Sequence, residues 1–239
     1  MNTLINPALP DHDGSVSKIS EVMDTGNPLI IPALPAHDGS VSKISEVMDM
    51  VKKNPVSYSP WPEYSYAPLV DFAVAHSGNS IFLKFFVTEK NVQALNLATN
   101  GPVCNDSCVE FFISWGKDQS YYNLEFNCSG TCHFGYGPDR NHRKLIKKEL
   151  IDRVRYQTVF KTISQTQQYL VNWELTVAIP LEVFSYHDLK SISGQTCRVN
   201  FYKCGDLLPE PHYLSWTNME SAQPDFHQPQ FFGSACFAD

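Results

Sequence analysis

The strongest constraint on the fold is a pair of aromatic-rich segments in which polar and apolar side chains alternate. Residues 106–114 read DSCVEFFIS, residues 121–127 read YYNLEFN, and a short polar stretch joins them. Successive side chains of a β-strand point to opposite faces, so Asn123, Glu125 and Asn127 share one face of the second segment. The alternation predicts two strands with one face in a core and the other carrying carboxylate and amide groups.

Similar short segments recur along the chain, and turn residues rather than helices separate most of them. The predicted strands span 70–76, 81–88, 107–114, 121–128, 153–162, 171–179, 196–204 and 231–237. Residues 135–139 are expected to break the chain, and the charged stretch 141–152 to form a short helix. The pattern lacks the strand–helix alternation of parallel α/β folds. It predicts an all-β fold, an antiparallel β-sandwich of two sheets, with a short N-terminal helical extension.

The composition indicates a folded domain and disfavours two classes of partner. The chain has 239 residues, 43% hydrophobic and 13% aromatic, which suits one sizeable core plus an extension. No apolar run approaches the roughly 20 residues that cross a bilayer, so no membrane partner is expected. A net charge of −7 argues against nucleic acid, which needs a basic surface. No signal peptide is visible at the N-terminus, which favours the cytoplasm.

The cysteines raise the question of a metal or a disulfide. There are seven, an odd number that favours reduced thiols, with a disulfide in one close pair left open. Cys104 with Cys108, and Cys128 with Cys132 beside His133, form two candidate zinc pairs. Structural zinc sites use tighter pairs, so we expect buried, apolar thiols, no metal and no cofactor.

A nearly perfect duplication occupies the N-terminus. Residues 7–24 recur at 32–49 with one change, Asp11 to Ala36. Divergence this slight indicates a recent or artificial duplication rather than an old repeat architecture. Each copy predicts an extended Pro-rich piece, a turn and a short amphipathic helix. In the second copy the apolar helical face comprises Val41, Ile44, Val47 and Met48, and Asp38 or Ser40 can cap the helix.

The duplication sets the predicted domain boundaries. Residues 1–30 are an extra copy, residues 31–54 are a second copy that leads into the domain, and residues 55–239 form the β-sandwich. A single domain normally has one docking groove for one such helix. Because the second copy runs directly into the domain, we expect the second copy to occupy that groove. The first copy would be loose, or packed elsewhere on this chain or on a neighbour. An oligomer formed through this segment is therefore one interpretation, and a duplication without function is the other.

Several strand positions carry polar groups that suit a binding site for a hydroxyl-rich ligand. Such sites combine a flat aromatic surface with charged or amide groups. The polar candidates are Glu110, Asn123, Glu125, Asn127, Arg198, Asn200 and Tyr202. A structural network, with Arg198 paired to Glu110 or Glu125, explains several of them equally well. The aromatic candidates are Trp61, Tyr136 and Trp216, although Trp216 could equally belong to the core.

Five short motifs follow one another along the chain. They are Asp-Ser-x-Val-Glu at 106–110, Tyr-Tyr-x-x-x-x-Asn at 121–127, Arg-x-Asn-Phe-Tyr at 198–202, Ser-Trp at 215–216 and Pro-x-Phe-Phe-Gly at 229–233. In this order they resemble the family 9 carbohydrate-binding modules, and more closely the stand-alone bacterial relatives of that family, over about 58–237. The resemblance implies a β-sandwich of two sheets.

The resemblance also implies particular site residues. The family's carboxylate corresponds to Glu110 and its strand asparagine to Asn127, while Glu125 stands where the family has an arginine. Two tryptophans of the family, which clamp a disaccharide at a glycan end, correspond to residues 103–105 and to Phe226. Calcium is a further implication. Together with the residues chosen above, the predicted site comprises Glu110, Glu125, Asn127, Arg198, Trp216 and Phe226.

These observations lead to one predicted function and two alternatives. The prediction is a non-catalytic module that binds oligosaccharide or polysaccharide, such as cellulose or xylan, in carbohydrate catabolism. A site filled by its own side chains would instead indicate a structural or interaction module. A glycoside hydrolase needs two carboxylates across a cleft, and Glu110, Glu125, Glu174 or Asp225 with His227 could supply them. No motif marks a nucleophile or acid, and the xylanase association comes from the family alone.

Overall fold

The chain forms two sheets, as the sequence predicts. The computed structural model describes residues 27–35, 40–165 and 168–239. The strands are β1 (Leu29–Ile31), β2 (Asn54–Pro55), β3 (Leu69–His76), β4 (Ser80–Glu89), β5 (Cys108–Trp115), β6 (Tyr121–Asn127), β7 (Cys132–Gly137), β8 (Lys144–Leu145), β9 (Arg155–Gln165), β10 (Gln168–Pro180), β11 (Thr196–Cys204), β12 (Tyr213–Ser215) and β13 (Gly233–Phe237). The helices are α1 (Val41–Met48) and α2 (Lys148–Ile151).

The two sheets have simple orders. The larger runs β1-β13-β11-β5-β6-β7-β8, with β12 also paired to β11, and the smaller runs β2-β3-β4-β10-β9. Neighbouring strands are antiparallel except β1 and β13, which are parallel. In the described part of the chain, no helix is long and apolar enough to cross a membrane.

All eight predicted strands exist, and the strands that were not predicted are short or rich in glycine. β1, β2, β8 and β12 are two or three residues long, too short to show alternation. The break expected at 135–139 is wrong, because β7 continues through Gly137. The helix expected at 141–152 is also largely wrong. Residues 144–145 pair with 135–136 of β7 as β8, and only α2 is helical, because sheet pairing there overrides local propensity.

The core lies between the two sheets. The face predicted for 171–179, namely Trp173, Leu175, Val177 and Ile179, is fully buried there. The apolar sides of β5 and β6, including Phe111 and Leu124, join the same cluster. The outer face of the larger sheet is also partly covered by side chains. A second cluster of buried aromatic residues covers part of it: Trp61, Phe112, Tyr121, Tyr202, Phe226 and Phe232.

The second copy of the duplicated segment packs against the domain. Ile31 of β1 pairs with Phe237 and is fully buried, so the predicted boundary between residues 30 and 31 falls inside a strand. Ile44 and Met48 of α1 pack on the outer face of the smaller sheet. Buried Lys84 donates a 2.5 Å hydrogen bond to Asp49 at the end of this helix.

The N-terminal cap of α1 agrees with the sequence prediction only in part. Ser40 occupies the N-cap position, but its side chain makes no capping hydrogen bond. The other candidate cap, Asp38, lies outside the described residues, as does the first copy of the repeat. The expectation that the first copy is loose, or packed elsewhere, stays a prediction.

Candidate functional site

A cavity of about 450 Å³ opens over the outer face of the larger sheet. Strands β5, β6 and β11 form its floor. Loops at 101–104, 140–143 and 224–227 form its walls. The cavity therefore lies on the face where the sequence predicts carboxylate and amide groups.

Two carboxyl groups lie side by side on the floor. Glu110 of β5 and Glu125 of β6 are direct cross-strand partners, and their exposed fractions are 3% and 8%. The Cys204 thiol donates to Glu110 Oε1 at 3.1 Å, and Asn123 Nδ2 donates to Glu125 Oε1 at 2.7 Å. The Oε2 atom of each glutamate has no hydrogen-bond partner among the described residues. The floor thus offers two carboxyl oxygens to a ligand.

Burial raises the pKa values of the two carboxyl groups on the floor of the cavity. Removal from water raises the pKa of Glu110 well above its usual value, and the neighbouring charge of Glu125 raises it further. Burial also raises the pKa of Glu125, while His133 and the Asn123 hydrogen bond oppose the rise. On the nearby wall, burial and Glu125 raise the pKa of Asp206 to about 6. One carboxyl of the pair therefore tends to keep its proton and can donate a hydrogen bond.

A chain of hydrogen bonds orients Glu125. Arg143 Nε donates to Asn123 Oδ1 at 2.7 Å, and Arg143 Nη2 donates to the Tyr121 carbonyl at 2.8 Å. Gly135 of β7 leaves the space for this arrangement, since a Cβ there would lie 2.7 Å from Asn123 Oδ1. Arg143 and Gly135 together hold the Asn123 amide in position, and Asn123 in turn orients the Glu125 carboxyl group.

Aromatic rings form one wall of the cavity. Phe226 stacks on Tyr202 with ring centroids 4.2 Å apart and lies 5.7 Å from Trp61. Next to it, the Tyr121 hydroxyl and His227 Nδ1 are 2.7 Å apart. Burial, with the charge of Arg143, lowers the pKa of His227 to about 3, so this ring is neutral. The wall combines an apolar ring with a neutral imidazole.

The structure brings three of the six predicted site residues together: Glu110, Glu125 and Phe226 line the cavity. Asn127 does not, because β6 ends at this residue and the following turn claims its side chain. Its Nδ2 donates to Asp106 at 3.0 Å, and its Oδ1 accepts from the Thr131 backbone at 3.0 Å.

The other two predicted residues also lie away from the cavity. Arg198 donates to the Pro229 carbonyl at 3.2 Å and pairs with neither floor glutamate. Trp216 packs against Phe72 and Phe201 in the core, which is the alternative left open for it. Arg198 lies near the opposite end of β11 from Cys204, and Trp216 follows β12 and packs against the core between the sheets.

Sequence reasoning missed several residues of the site. Arg143 belongs to the charged stretch that we predicted to form a short helix, yet its side chain donates hydrogen bonds to Asn123 and Tyr121 of β6 and to Gly135 of β7. Gly135 lies in the segment that we expected to break the chain, and it belongs to β7. Cys204 and Asp206 carry no local motif. The pairing of β11 with β5 brings Cys204 to the floor, and Asp206 follows the end of β11 on the wall. Of the two suspected zinc pairs, Cys128 and Cys132 lie in the apolar core between the sheets, whereas Cys108 lies on the outer face of the larger sheet, opposite Cys204 of β11.

Comparisons with known proteins agree with the fold. Residues 42–237 match the family model described as Carbohydrate-binding family 9. A solved structure of a candidate carbohydrate-binding protein from Bacteroides uniformis is 32% identical, with a TM-score of 0.78, and the match covers 88% of this chain and 100% of that one. No curated protein matches the chain.

Two more distant structures share the fold. Both are of a family 9 carbohydrate-binding module from Caldicellulosiruptor kristjanssonii, one with glucose and one with cellotriose, each 12% identical to this chain. Their TM-scores are 0.53 and 0.51, and the matches cover 88% and 89% of this chain and 95% and 94% of theirs. Because the family model matches most of its length, this chain belongs to carbohydrate-binding family 9.

Proposed function

We propose that this module binds an oligosaccharide in the cavity above Glu110 and Glu125. The observation that carries the proposal is the pair of carboxyl oxygens, one from each floor glutamate, that no described residue hydrogen-bonds, beside an aromatic wall at Phe226. An ionised carboxylate accepts charge-assisted hydrogen bonds from hydroxyls, and a protonated carboxyl can donate to a sugar oxygen. An aromatic ring packs against the apolar face of a sugar. The volume of about 450 Å³ lies within the roughly 300–1,000 Å³ of small-molecule sites.

The arrangement of the carboxyl groups supports binding rather than hydrolysis. Glu110 and Glu125 are cross-strand neighbours, so both approach a ligand from the same side. A glycosidase needs its two carboxylates on opposite sides of the glycosidic bond. The open cavity also speaks against an interaction module whose sugar site has been filled by its own side chains.

The sugar itself is a finer part of the proposal. Cello- and xylo-oligosaccharides, derived from cellulose and xylan, are the first ligands to test, and a role in carbohydrate catabolism would follow from their binding. Arg140 and Arg143 at the cavity make uronic-acid-containing oligosaccharides a second class. A neutral hydroxyl ligand is favoured, because Arg143 already donates to protein acceptors.

Titration calorimetry with this panel tests the proposal. Glu125→Gln and Phe226→Ala should abolish a saturable binding that the unchanged protein shows. Glu46→Gln is the matched control, since this exposed glutamate lies on α1, which packs on the other sheet. Absence of heat from every sugar with the folded protein, or equal binding by Glu125→Gln and Glu46→Gln, would overturn the proposal. Reducing sugar released during the titration would instead indicate a hydrolase.

A further inference from the structure

Two thiols and one carboxyl group converge beside the floor of the cavity. One sulfur atom each from Cys108 and Cys204 and a carboxylate oxygen of Glu110 all lie within 4.8 Å of one another. The exposed fractions of the three residues are 0%, 1% and 3%. The proposed sugar function makes no use of the two sulfur atoms.

The sheet register produces this group. Cys108 and Cys204 are direct cross-strand partners on β5 and β11. Glu110 follows Cys108 by two residues on the same strand, so its side chain points to the same face. Regular strands hold all three side chains, so the donors are fixed by the fold and not by a flexible loop.

The donor types and spacing fit a thiophilic cation. Thiolates and carboxylates both bind zinc, and thiolates are favoured by soft cations such as cadmium. In a tetrahedral site with Zn–S bonds of about 2.3 Å, neighbouring sulfur ligands lie about 3.8 Å apart. The observed limit of 4.8 Å therefore needs only a small inward movement of the side chains.

Further donor groups surround Glu110. The residue is 3% exposed, its Oε1 atom accepts a hydrogen bond from Cys204, and no hydrogen bond reaches its Oε2 atom within the described part of the chain. Three buried or partly buried carboxyl groups, Glu110, Glu125 and Asp206, line the cavity here. Cys104 lies on the same wall and contacts Asp206. Cys104 or Asp206 can supply a fourth donor, or water from the cavity can.

We propose that Cys108, Glu110 and Cys204 form a binding site for one thiophilic divalent cation, zinc or cadmium, with its remaining position open to the cavity. In the metal-free protein the Cys204 thiol donates a hydrogen bond to Glu110 Oε1 at 3.1 Å. Coordination replaces that hydrogen bond, and each coordinating thiol releases its proton to solvent. The proposal does not rest on sugar binding.

The test is a titration of the full chain, reduced beforehand and freed of metal, with Cd²⁺ alone. Binding is followed by thiolate-to-cadmium absorption in the ultraviolet, and Zn²⁺ is then measured by competition. We expect one cation per chain. Cys204→Ala should weaken binding by more than roughly 100-fold, since even loss of an outer hydrogen bond to a ligand costs 10–100-fold.

Cys236→Ala is the matched control, because it also leaves six thiols but removes one outside the cavity. It should bind as the unchanged protein does. Glu110→Gln keeps an acceptor for the Cys204 thiol but loses the charge. This variant tests the same site without changing either cysteine, in case Cys204→Ala does not fold. No binding by the unchanged protein, or equal binding by Cys204→Ala and Cys236→Ala, would overturn the proposal.

Discussion

The duplicated segment allows a stability experiment with a built-in control. Deletion of 1–25 and deletion of 26–50 each leave one copy of the segment joined to Val51. The two retained copies, 2–24 and 27–49, differ only as Thr3 to Pro28, Asn6 to Ile31 and Asp11 to Ala36. The helix residues that contact the groove are identical in both copies. The shorter chains therefore compare one buried position almost in isolation.

The structure gives the size of the expected difference. Ile31 is fully buried in the core, whereas Pro28 is exposed. Deletion of 26–50 would place Asn6 where Ile31 lies. Losing a buried isoleucine costs about 2 kcal/mol of transfer free energy, and burying an unpaired amide adds about 1–3 kcal/mol. We expect a loss of roughly 4 kcal/mol in the free energy of unfolding.

Thermal and urea denaturation measure this difference. For a domain of this size about 1 kcal/mol shifts the Tm by roughly 2–4 °C, so deletion of 26–50 should lower the Tm by about 10 °C. Deletion of 1–25 should leave the Tm unchanged. In the chain that lacks 26–50, Asn6→Ile should restore most of the loss.

Two results would refute this reasoning. Equal stability of the two shortened chains would mean that Ile31 contributes little to the core. A Tm lowered by deletion of 1–25 would mean that the first copy packs against the domain, contrary to the expectation that one groove holds one helix.

Three further predictions concern the site and the acid stability of the fold. Gly135→Ala should weaken sugar binding roughly tenfold, because its Cβ displaces Asn123 from the hydrogen bond that orients Glu125, and calorimetry would measure the loss. Burial and Lys203 lower the pKa of His212 to about 3, so stability that is complete above the unfolded pKa of about 6.5 should fall as the pH drops toward 3. His212→Gln should flatten that decline in urea denaturation between pH 7 and pH 5. Cd²⁺ should weaken sugar binding, because both proposals use Glu110.

Each of these predictions has its own control. Gly116→Ala places a Cβ in open space, at a positive φ of 55°, so it should cost stability without changing sugar affinity. A pH dependence that stays the same after His212→Gln would assign the acid sensitivity to other groups. Sugar affinity that is equal with and without Cd²⁺ would place the two ligands in different parts of the cavity.

The fold was accessible from the sequence because alternation is a local signal. Strand β10 shows why: every second residue from Trp173 to Ile179 is apolar, and all four are fully buried. Strand β7 was not predicted, because Gly135 and Gly137 indicate a break in the chain when only neighbouring residues are considered. They are glycines because Asn123 and the His142 carbonyl occupy the space that their side chains would need, and these contacts depend on the pairing of β7 with β6 and on the turn that follows β7.

The site was accessible only in part, for a related reason. Alternation correctly put Glu125 on the polar face of β6, and it put Asn127 there too. The strand ends at Asn127, however, and the turn at 128–131 uses its amide. Cys204 reaches Glu110 only through the register of β11 against β5, which no local pattern specifies. A sequence pattern gives the face of a residue, while its neighbours depend on strand register and on where each strand ends.

The enclosure of the polar face explains why one cavity suits two kinds of ligand. Aromatic side chains around Phe226 keep much of the water from Glu110, so its negative charge is poorly solvated. A proton, a sugar hydroxyl or a cation can each compensate that charge. A protonated Glu110 can donate to a sugar oxygen, whereas a cation needs the carboxylate and deprotonated thiols of Cys108 and Cys204. The two proposed ligands therefore use the same glutamate in opposite protonation states, and binding of one disfavours the other.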